Sequence, residues 1–390
     1  MTKKHIEQLF HLGHDGWEHI VFYLNRHHVE SVLLVTGKRM YASSGAEGHL
    51  TAVLKGKRVR RVFDFDTNPK ADDIRRILKR VSADKPYDVI IALGGGSVLD
   101  FAKLLKAFWN SSNPVLANLS GDEPLEPSDV KLIAVPSTAG SGSEATPFAV
   151  VYRGKEKFSI IHEALRPDLA IVIPSLLESL PQHVAASSGM DALCQAIESY
   201  WSIYSTDESR VFAREAMTLA WSALEPAVLE KEASSLENLA RASYLAGKAI
   251  SITKTTAPHA VSYVLTSFYG VSHGHAVGLL VAEFLNYNWE VKDDDCLDPR
   301  GVRWVIATLV EIAEMLGHAS VLELSSSIIQ LMQRVGLETD IRKLGVTHAQ
   351  DVDTIAKYGF NPQRVNNNPR LLTDKTLRSL IEKMLLSNIT

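Results

Sequence analysis

The sequence predicts an α/β fold in which an N-terminal, Rossmann-like doubly wound sheet precedes a C-terminal all-helical domain. Over the first part of the chain, strand patterns alternate with helical patterns. Glycine-rich turns stand where two of these strands end, which is typical of parallel sheets that bind ligands at their carboxyl edge. Beyond residue 175 strand patterns almost vanish and amphipathic stretches take over. We therefore expect an α/β domain at 1–175 and a helical domain at 176–390.

Each element follows from a local pattern. Short, mainly apolar runs favour strands buried on both faces of a parallel sheet; these runs cover residues 31–37, 88–93 and 131–135. Residues 58–63 are predicted as a further strand, and extended segments are predicted at 149–152 and 170–173. Helical periodicity predicts helices at 71–81, from the turn at 94–97 to about 109, and at 187–202, 208–224, 236–252, 302–316, 321–335 and 374–386.

The composition excludes several classes of protein. The chain of 390 residues is 46% hydrophobic and 22% charged, as in ordinary globular proteins of two domains. Its formal net charge of −4 argues against nucleic acid as a partner, and no uninterrupted apolar run is long enough to cross a bilayer. Two cysteines, Cys194 and Cys296, and an N-terminus without an apolar leader lead us to expect a cytoplasmic protein without disulfides.

Two polar turns in the first half are candidate phosphate sites. The glycine turn, Gly94-Gly95-Gly96-Ser97, follows a strand and opens a helix, so its amides can approach a pyrophosphate. A tight turn without a ligand explains the same residues, and Asp100 and Lys103 could equally form a surface ion pair. Thr138, Ser141 and Ser143 concentrate small hydroxyls at 138–143, which suits phosphate or ribose recognition, although a polar loop with helix caps remains the alternative.

Four groups in the second half could converge on one divalent metal. Asp191 and Gln195 are spaced i and i+4, so a helix would present both on one face. His259 and His273 supply imidazoles, and a carboxylate with two imidazoles suits Zn or Fe, with the Gln195 amide as a weak fourth ligand. Three firm ligands would leave an open position, as catalytic metals require. Sequence separations this long do not by themselves establish that the four groups meet.

The end of the first predicted strand bears on cofactor choice. NAD-preferring enzymes place an acidic side chain there for the ribose 2′-hydroxyl, whereas basic groups admit a 2′-phosphate. Here Thr36 is followed by Gly37, Lys38 and Arg39. We therefore predict NADP(H) in preference to NAD(H).

Together these motifs resemble the iron-containing (group III) alcohol dehydrogenase family over nearly the whole chain. The residues that carry the resemblance lie at 94–103, 136–146, 189–193, 273–276 and 368–373. The resemblance implies a dehydroquinate synthase-like architecture, with a dinucleotide-binding domain at 1–175 and a metal-binding domain at 176–390. It also implies hydride transfer between a nicotinamide and a carbonyl, and a homodimer or larger homo-oligomer.

Carried over residue by residue, the family's Asp, His, His, His ligand set falls on Asp191, Gln195, His259 and His273, and a further family histidine falls on Thr255. The chain therefore departs from the pattern at Gln195 and Thr255. The implied cofactor-binding residues are Gly37, Lys38, Asn68, Gly94, Gly95, Gly96, Ser97, Asp100, Thr138, Ser141, Ser143, Thr146 and Lys157.

A narrower resemblance, at 191–202, 254–260 and 272–276, is to the phosphonoacetaldehyde reductase branch of that family. It implies reduction of phosphonoacetaldehyde to 2-hydroxyethylphosphonate. A dianionic substrate needs a cation beside the metal; Lys254 is the first candidate, ahead of Lys157 and His162, although Lys254 could also be a solvated charge at a helix end. In the expected mechanism the metal polarises the carbonyl oxygen, and His275 is the candidate proton donor to the alkoxide.

Other readings stay open. The chain could act on a small aliphatic alcohol, as general members of the family do. It could be a lyase or cyclase of the dehydroquinate synthase type, which recycles NAD within each turnover. Because Gln195 and Thr255 depart from the family pattern, it could also be a non-catalytic nucleotide-binding protein.

Overall fold

The structure, a computed structural model, describes residues 8–82, 86–110, 125, 127–154, 156–360 and 365–386. It divides into two units, Met1–Leu180 and Pro181–Thr390. The first unit is built on a parallel sheet, and the second consists of packed helices, so the predicted fold class is confirmed. The predicted division of binding roles between 1–175 and 176–390 stays a prediction.

Parallel strands form the main sheet of the first unit in the order β1-β8-β5-β4-β2-β3. Strands β6 and β7 form a separate antiparallel hairpin. The strands are β1 (Leu9–Leu12), β2 (Ser31–Thr36), β3 (Arg58–Val62), β4 (Val89–Gly94), β5 (Lys131–Pro136), β6 (Phe148–Arg153), β7 (Glu156–Ile161) and β8 (Leu169–Val172).

Helices cover both faces of this sheet. Because side chains alternate between the two faces along each strand, neighbouring residues of one strand pack against different helices. Leu33 and Val35 of β2 belong to one core cluster with the helices α4 and α5, whereas Val32 and Leu34 belong to a second cluster with α1 and α3. The helices of this unit are α1 (Gly16–Arg26), α2 (Met40–Ser43), α3 (Ala46–Val53), α4 (Ala71–Val81) and α5 (Gly96–Ala107).

Some predictions for the first unit were incomplete. The predicted extended segment at 149–152 lies in the β6–β7 hairpin and not in the main sheet. Strand β1 has four residues, too few for a readable period, and β7 begins with two charged residues, so both escaped prediction. Helices α1, α2 and α3 were also missed.

The second unit is helical, and in the described part of the chain its only β-type pairing is an isolated bridge between Cys296 and Arg370. None of the helices in the described segments has the length and apolarity needed to traverse a membrane. The helices are α6 (Gln182–Trp201), α7 (Asp207–Leu229), α8 (Ala233–Thr253), α9 (Ala257–Tyr269), α10 (His273–Trp289), α11 (Val302–Met315), α12 (Val321–Arg334), α13 (Ala349–Gly359) and α14 (Asp374–Leu386).

Helix α6 is the centre of the second unit and packs against α7, α8 and α10. Its approach to α10 depends on Gly274. A Cβ built on Gly274 would lie 1.9 Å from the carbonyl oxygen of Ser187 and 2.8 Å from the Cβ of Asp191. Since both atoms belong to α6 and one is backbone, any side chain at 274 must push the two helices apart.

We predict that Gly274→Ala lowers the free energy of unfolding by about 3 kcal/mol, because the added methyl group overpacks a backbone contact. Denaturant unfolding followed by circular dichroism measures this. Gly48→Ala is the matched control, since a Cβ at this glycine of α3 meets nothing within 4 Å and should raise stability by up to about 1 kcal/mol. Equal stability of the two variants would contradict the close approach.

Candidate active site

One face of α6 presents three polar side chains. Asp191, Gln195 and Glu198 are spaced i, i+4 and i+7, which places them one above another on a helix. Their exposed fractions are 7%, 4% and 0%. Buried polar groups need partners, and those of α6 come from the first residues of α9 and α10.

Asp191, His259 and His273 converge in the structure. The Nε2 of His259 lies 3.2 Å from Oδ1 of Asp191, and the Nε2 of His273 lies 4.0 Å from the same oxygen. All three potential ligand atoms lie within 4.8 Å of one another. His259 is buried, whereas the side chain of His273 is 34% exposed. The two imidazoles and one carboxylate can therefore reach a common ion.

Glu198 holds His259 in this orientation. Its Oε1 pairs with Nδ1 of His259, so the Nε2 of that ring points toward Asp191. The Oε2 of Glu198 accepts hydrogen bonds of 2.7 Å from both the backbone N–H and the hydroxyl of Thr256. The Trp201 indole donates to the same hydroxyl over 2.9 Å. A carboxylate behind a ligand histidine fixes both the tautomer and the direction of the ring.

The two buried carboxylates give this site a preference for positive charge. Burial by itself lowers the pKa of His259, but Glu198 and Asp191 outweigh burial and raise that pKa to about 10. Burial opposes the ionisation of Asp191, yet hydrogen bonding to His259 and the charge of His273 hold its pKa below the ordinary value. A cation among these groups would be stabilised by the same interactions.

Gln195 provides an observation that favours a metal. Its Oε1 is buried and has no hydrogen-bond partner among the described residues, which is costly for a polar atom. The side-chain amide also hydrogen bonds to Asp191. A set of one carboxylate oxygen, two imidazole nitrogens and one unpartnered amide oxygen fits a divalent metal of the Fe or Zn type.

The two residues predicted to act on substrate, His275 and Lys254, are not part of the cluster of Asp191, His259 and His273. His275 is buried, and its Nε2 donates a 2.6 Å hydrogen bond to the carbonyl of Glu338, while burial lowers its pKa. Its ring is therefore committed to that carbonyl. Lys254 is exposed at the end of α8 with φ 59° and ψ 179°, a conformation that glycine prefers. It begins the segment that leads through Thr256 to His259.

The candidate phosphate turns of the first unit are adjacent. Gly94 and Pro136 are paired in register at the ends of β4 and β5, and the N–H of Ser137 donates to the carbonyl of Gly94 over 2.9 Å. A Cβ on Gly95 would lie 3.3 Å from the Thr138 side chain. On Gly96 it would lie 2.7 Å from the Ser141 hydroxyl. The glycine turn therefore packs directly on loop 137–146.

Lys103 holds that loop from within, which corrects the alternative of a surface ion pair. The ammonium of Lys103 is 0% exposed and donates to the hydroxyls and carbonyls of Ser143 and Thr146 and to the carbonyl of Phe148. Asp100 accepts from the Ser143 hydroxyl over 2.6 Å and from the Val150 N–H over 3.0 Å. The side chains of Asp100, Ser143 and Thr146 are thus engaged inside the unit, and their contact with a cofactor stays a prediction.

The remaining predicted cofactor residues lie at the edges of the first unit. Gly37 and the exposed Lys38 follow β2. Asn68 has φ 61°, and its N–H donates to the Ser97 hydroxyl over 3.3 Å, so these two residues are neighbours. Lys157 lies on β7 opposite Tyr152. Burial raises the pKa of Asp100, and the charge of Lys157 is among the smaller effects that oppose this rise.

Sequence reasoning missed Glu198 and Lys103. The signal for Glu198 was available, because it stands seven residues after Asp191 and so shares its helix face. For Lys103 there was no comparable signal, since a lysine one turn into a helix is usually exposed. Its burial depends on acceptors in residues 143–148, which the sequence separates from it by 40 positions or more.

Comparisons with known proteins agree with this architecture. A family model described as iron-containing alcohol dehydrogenase matches residues 9–174, and one described as the C-terminal part of the Fe-containing alcohol dehydrogenase family matches residues 185–385. The phosphonoacetaldehyde reductase of Streptomyces viridochromogenes is 34% identical over 336 residues, which cover 82% of this chain and 81% of that protein.

Two further proteins are similar to this chain. An aldehyde-alcohol dehydrogenase of Streptococcus pneumoniae is 28% identical over 91% of this chain, which spans 43% of that longer protein. The crystal structure of the sulfoacetaldehyde reductase from Bifidobacterium kashiwanohense, in complex with NAD+, is 27% identical, with a TM-score of 0.87 and 98% of each chain covered.

We predict that Glu198→Gln weakens metal binding by about 10–100-fold, because the His259 ring loses the carboxylate that orients it. Competition against a chromophoric chelator, with Zn2+ as the probe, measures the affinity. Glu208→Gln, an exposed glutamate on α7, is the control. Unchanged zinc affinity in a folded Glu198→Gln protein would show that Glu198 does not support a ligand.

A second prediction concerns Glu144 in loop 137–146. Burial raises the pKa of Glu144 from 4.5 to about 7, so the folded state retains a proton that the unfolded chain has released. This contribution to stability is present at low pH and is lost as pH rises through about 7. We therefore expect the free energy of unfolding of the wild type to fall by up to ~3 kcal/mol, relative to that of Glu144→Gln, between about pH 5 and pH 8.

Urea unfolding of both proteins across this pH range makes the measurement, with the exposed Glu178→Gln as the control. A difference between wild type and Glu144→Gln that does not vary with pH would contradict the raised pKa.

Proposed function

Because this chain belongs to the iron-containing alcohol dehydrogenase family, whose members are oxidoreductases, we propose that it reduces a short aldehyde carrying a strongly acidic group. The leading substrate is phosphonoacetaldehyde, reduced to 2-hydroxyethylphosphonate. The proposed hydride donor is NADPH, and the proposed metal is one divalent ion, Fe or Zn.

The observation that carries the proposal is the convergence of Asp191, His259 and His273 beside the unpartnered Oε1 of Gln195. These four residues would hold the metal, with Gln195 as the weakest ligand. When bound, such an ion supplies Lewis acidity toward a carbonyl oxygen. Three firm ligands leave a coordination position for substrate, which distinguishes a catalytic site from a structural one.

The chain's own residues have distinct roles in this proposal. Glu198 and Thr256 keep the His259 ring in one orientation through hydrogen bonds among buried groups. His275 receives no proton-transfer role, because its Nε2 already donates to the Glu338 carbonyl. The proton for the alkoxide would then come from water at the partly exposed side of His273.

Lys254 is the proposed partner of the substrate anion. Its left-handed backbone is sparsely populated by residues other than glycine and costs about 1–3 kcal/mol. The surroundings maintain it: the Lys254 N–H donates to the Ile250 carbonyl, and its carbonyl accepts from the Thr253 hydroxyl. Strain of this kind concentrates at ligand sites. Two relatives are named for aldehydes that bear an acid group, a phosphonate in one and a sulfonate in the other.

The proposed preference for NADPH rests on the residues after β2. Gly37 supplies no carboxylate for a ribose 2′-hydroxyl, and Lys38 and Arg39 are exposed cations. Among the relatives, the sulfoacetaldehyde reductase structure contains NAD+, so this chain would differ from that protein in its cofactor. We retain the expectation of a homodimer or larger assembly.

The proposal is tested by measuring steady-state reduction of phosphonoacetaldehyde, sulfoacetaldehyde and propanal with NADPH on zinc- or iron-loaded protein. We expect the highest kcat/KM for phosphonoacetaldehyde. Lys254→Met should raise its KM about tenfold or more, because a charged hydrogen bond is lost, and should leave the KM for propanal nearly unchanged. Methionine keeps the strained backbone, so the comparison isolates the charge.

Lys292→Met, an exposed lysine in the same unit, is the control and should match wild type. Equal kcat/KM for propanal and phosphonoacetaldehyde would replace the proposed substrate by a simple aliphatic aldehyde. Failure to consume NADPH or NADH with any of the three aldehydes would reject the reductase proposal.

A further inference from the structure

The carboxyl ends of β2 and β3 bring a further basic residue, Arg61, to the position expected for an adenosine ribose, beside Lys38 and Arg39. The two strands are parallel neighbours, with Leu34 paired to Arg61 and Val35 to Val62. Because parallel strands end at one edge, the last residues of β3 lie beside those that follow β2. The Nε of Arg61 donates to the Thr36 hydroxyl over 2.9 Å, and its Nη2 lies 3.5 Å from the Gly37 carbonyl.

Aromatic rings hold this guanidinium in place. Its central carbon lies 3.9 Å from the centre of the Tyr41 ring and 4.6 Å from that of Phe63. Tyr41 and Thr36 are buried, at 5% and 0% exposure, whereas Arg61 is half-buried. A guanidinium stacked on aromatic faces is pre-organised, so little conformational entropy is lost when it binds an anion. It carries five N–H donors, of which these contacts use two.

In the part of the chain that the structure describes, Arg61 has no carboxylate partner, and Gly37 beside it places no side chain in its way. A Cβ built on Gly37 would meet Val98 alone, at 3.9 Å. The two aspartates that follow β3 are already paired: Asp64 binds Arg76 and Arg80, and Asp66 binds Lys70. The end of β2 thus combines a residue without a side chain and a fixed cation whose remaining donors have no carboxylate partner in the described structure.

We propose that Arg61 is the specificity-determining residue for the cofactor, binding the 2′-phosphate of NADPH through its guanidinium fork. This inference rests on the proposed function only for the identity of the dinucleotide. A carboxylate at this edge selects a ribose 2′-hydroxyl, and an arginine accommodates a 2′-phosphate. Phosphate geometry matches the planar guanidinium in a way that the flexible ammonium of Lys38 does not.

The test is direct binding, which requires no turnover. Isothermal titration calorimetry with 2′,5′-ADP and with ADP compares ligands that carry and lack the 2′-phosphate. Wild type should bind 2′,5′-ADP about tenfold or more tightly than ADP, and Arg61→Gln should remove most of this ratio by weakening 2′,5′-ADP. Arg61→Lys retains the charge without the fork and should give an intermediate ratio. The ratio of kcat/KM for NADPH over NADH should fall in parallel.

Arg60→Gln, the preceding residue on the same strand, is the matched control and should keep the wild-type ratio, because side chains alternate along a strand. Thermal unfolding checks that each variant is folded. Three outcomes would overturn the proposal: no wild-type preference for 2′,5′-ADP, an unchanged ratio in both Arg61 variants, or a ratio lost in Arg39→Gln and kept in Arg61→Gln. A preserved binding preference without any aldehyde reduction would instead reject the proposed function alone.

Discussion

The second unit depends on the burial of one carboxylate. Glu198 has no exposed surface, and a buried charge is tolerated only where its partners are complete. These partners come from Thr256 and His259, so the start of α9 must lie against α6 for the fold to form. The direction of the His259 ring is therefore a consequence of folding, and ligand placement does not depend on a flexible loop.

The first unit uses the opposite charge in a similar way. Lys103 places a buried ammonium beneath loop 137–146, where hydroxyl and carbonyl oxygens surround it. The loop is thus fixed from within, while the glycine turn packs on its other residues, Thr138 and Ser141. In each unit, hydrogen bonds to one buried charged side chain fix a polar segment: Glu198 fixes the start of α9, and Lys103 fixes loop 137–146.

The sequence predicted the fold well where burial leaves a clear pattern. Strands β2, β4 and β5 are mainly apolar because helices cover both faces of the sheet, and α4 shows a strong helical period. Helix α10 was missed for the converse reason: it is buried on nearly all sides, so it has no polar face to reveal its period. The helix that begins at His273 was therefore hidden, although the structure brings His259 and His273 close to Asp191. Pairings such as Lys103 with residues 143–148 depend on the tertiary fold and leave no local trace.

Lys254 has a consequence for how this chain can change over generations. Glycine would adopt φ 59° and ψ 179° without strain, so selection for stability alone favours replacing the lysine. A cost of about 1–3 kcal/mol is a large share of a typical unfolding free energy of about 5–15 kcal/mol. A lineage that no longer needed a cation at this position would therefore be expected to drift to glycine.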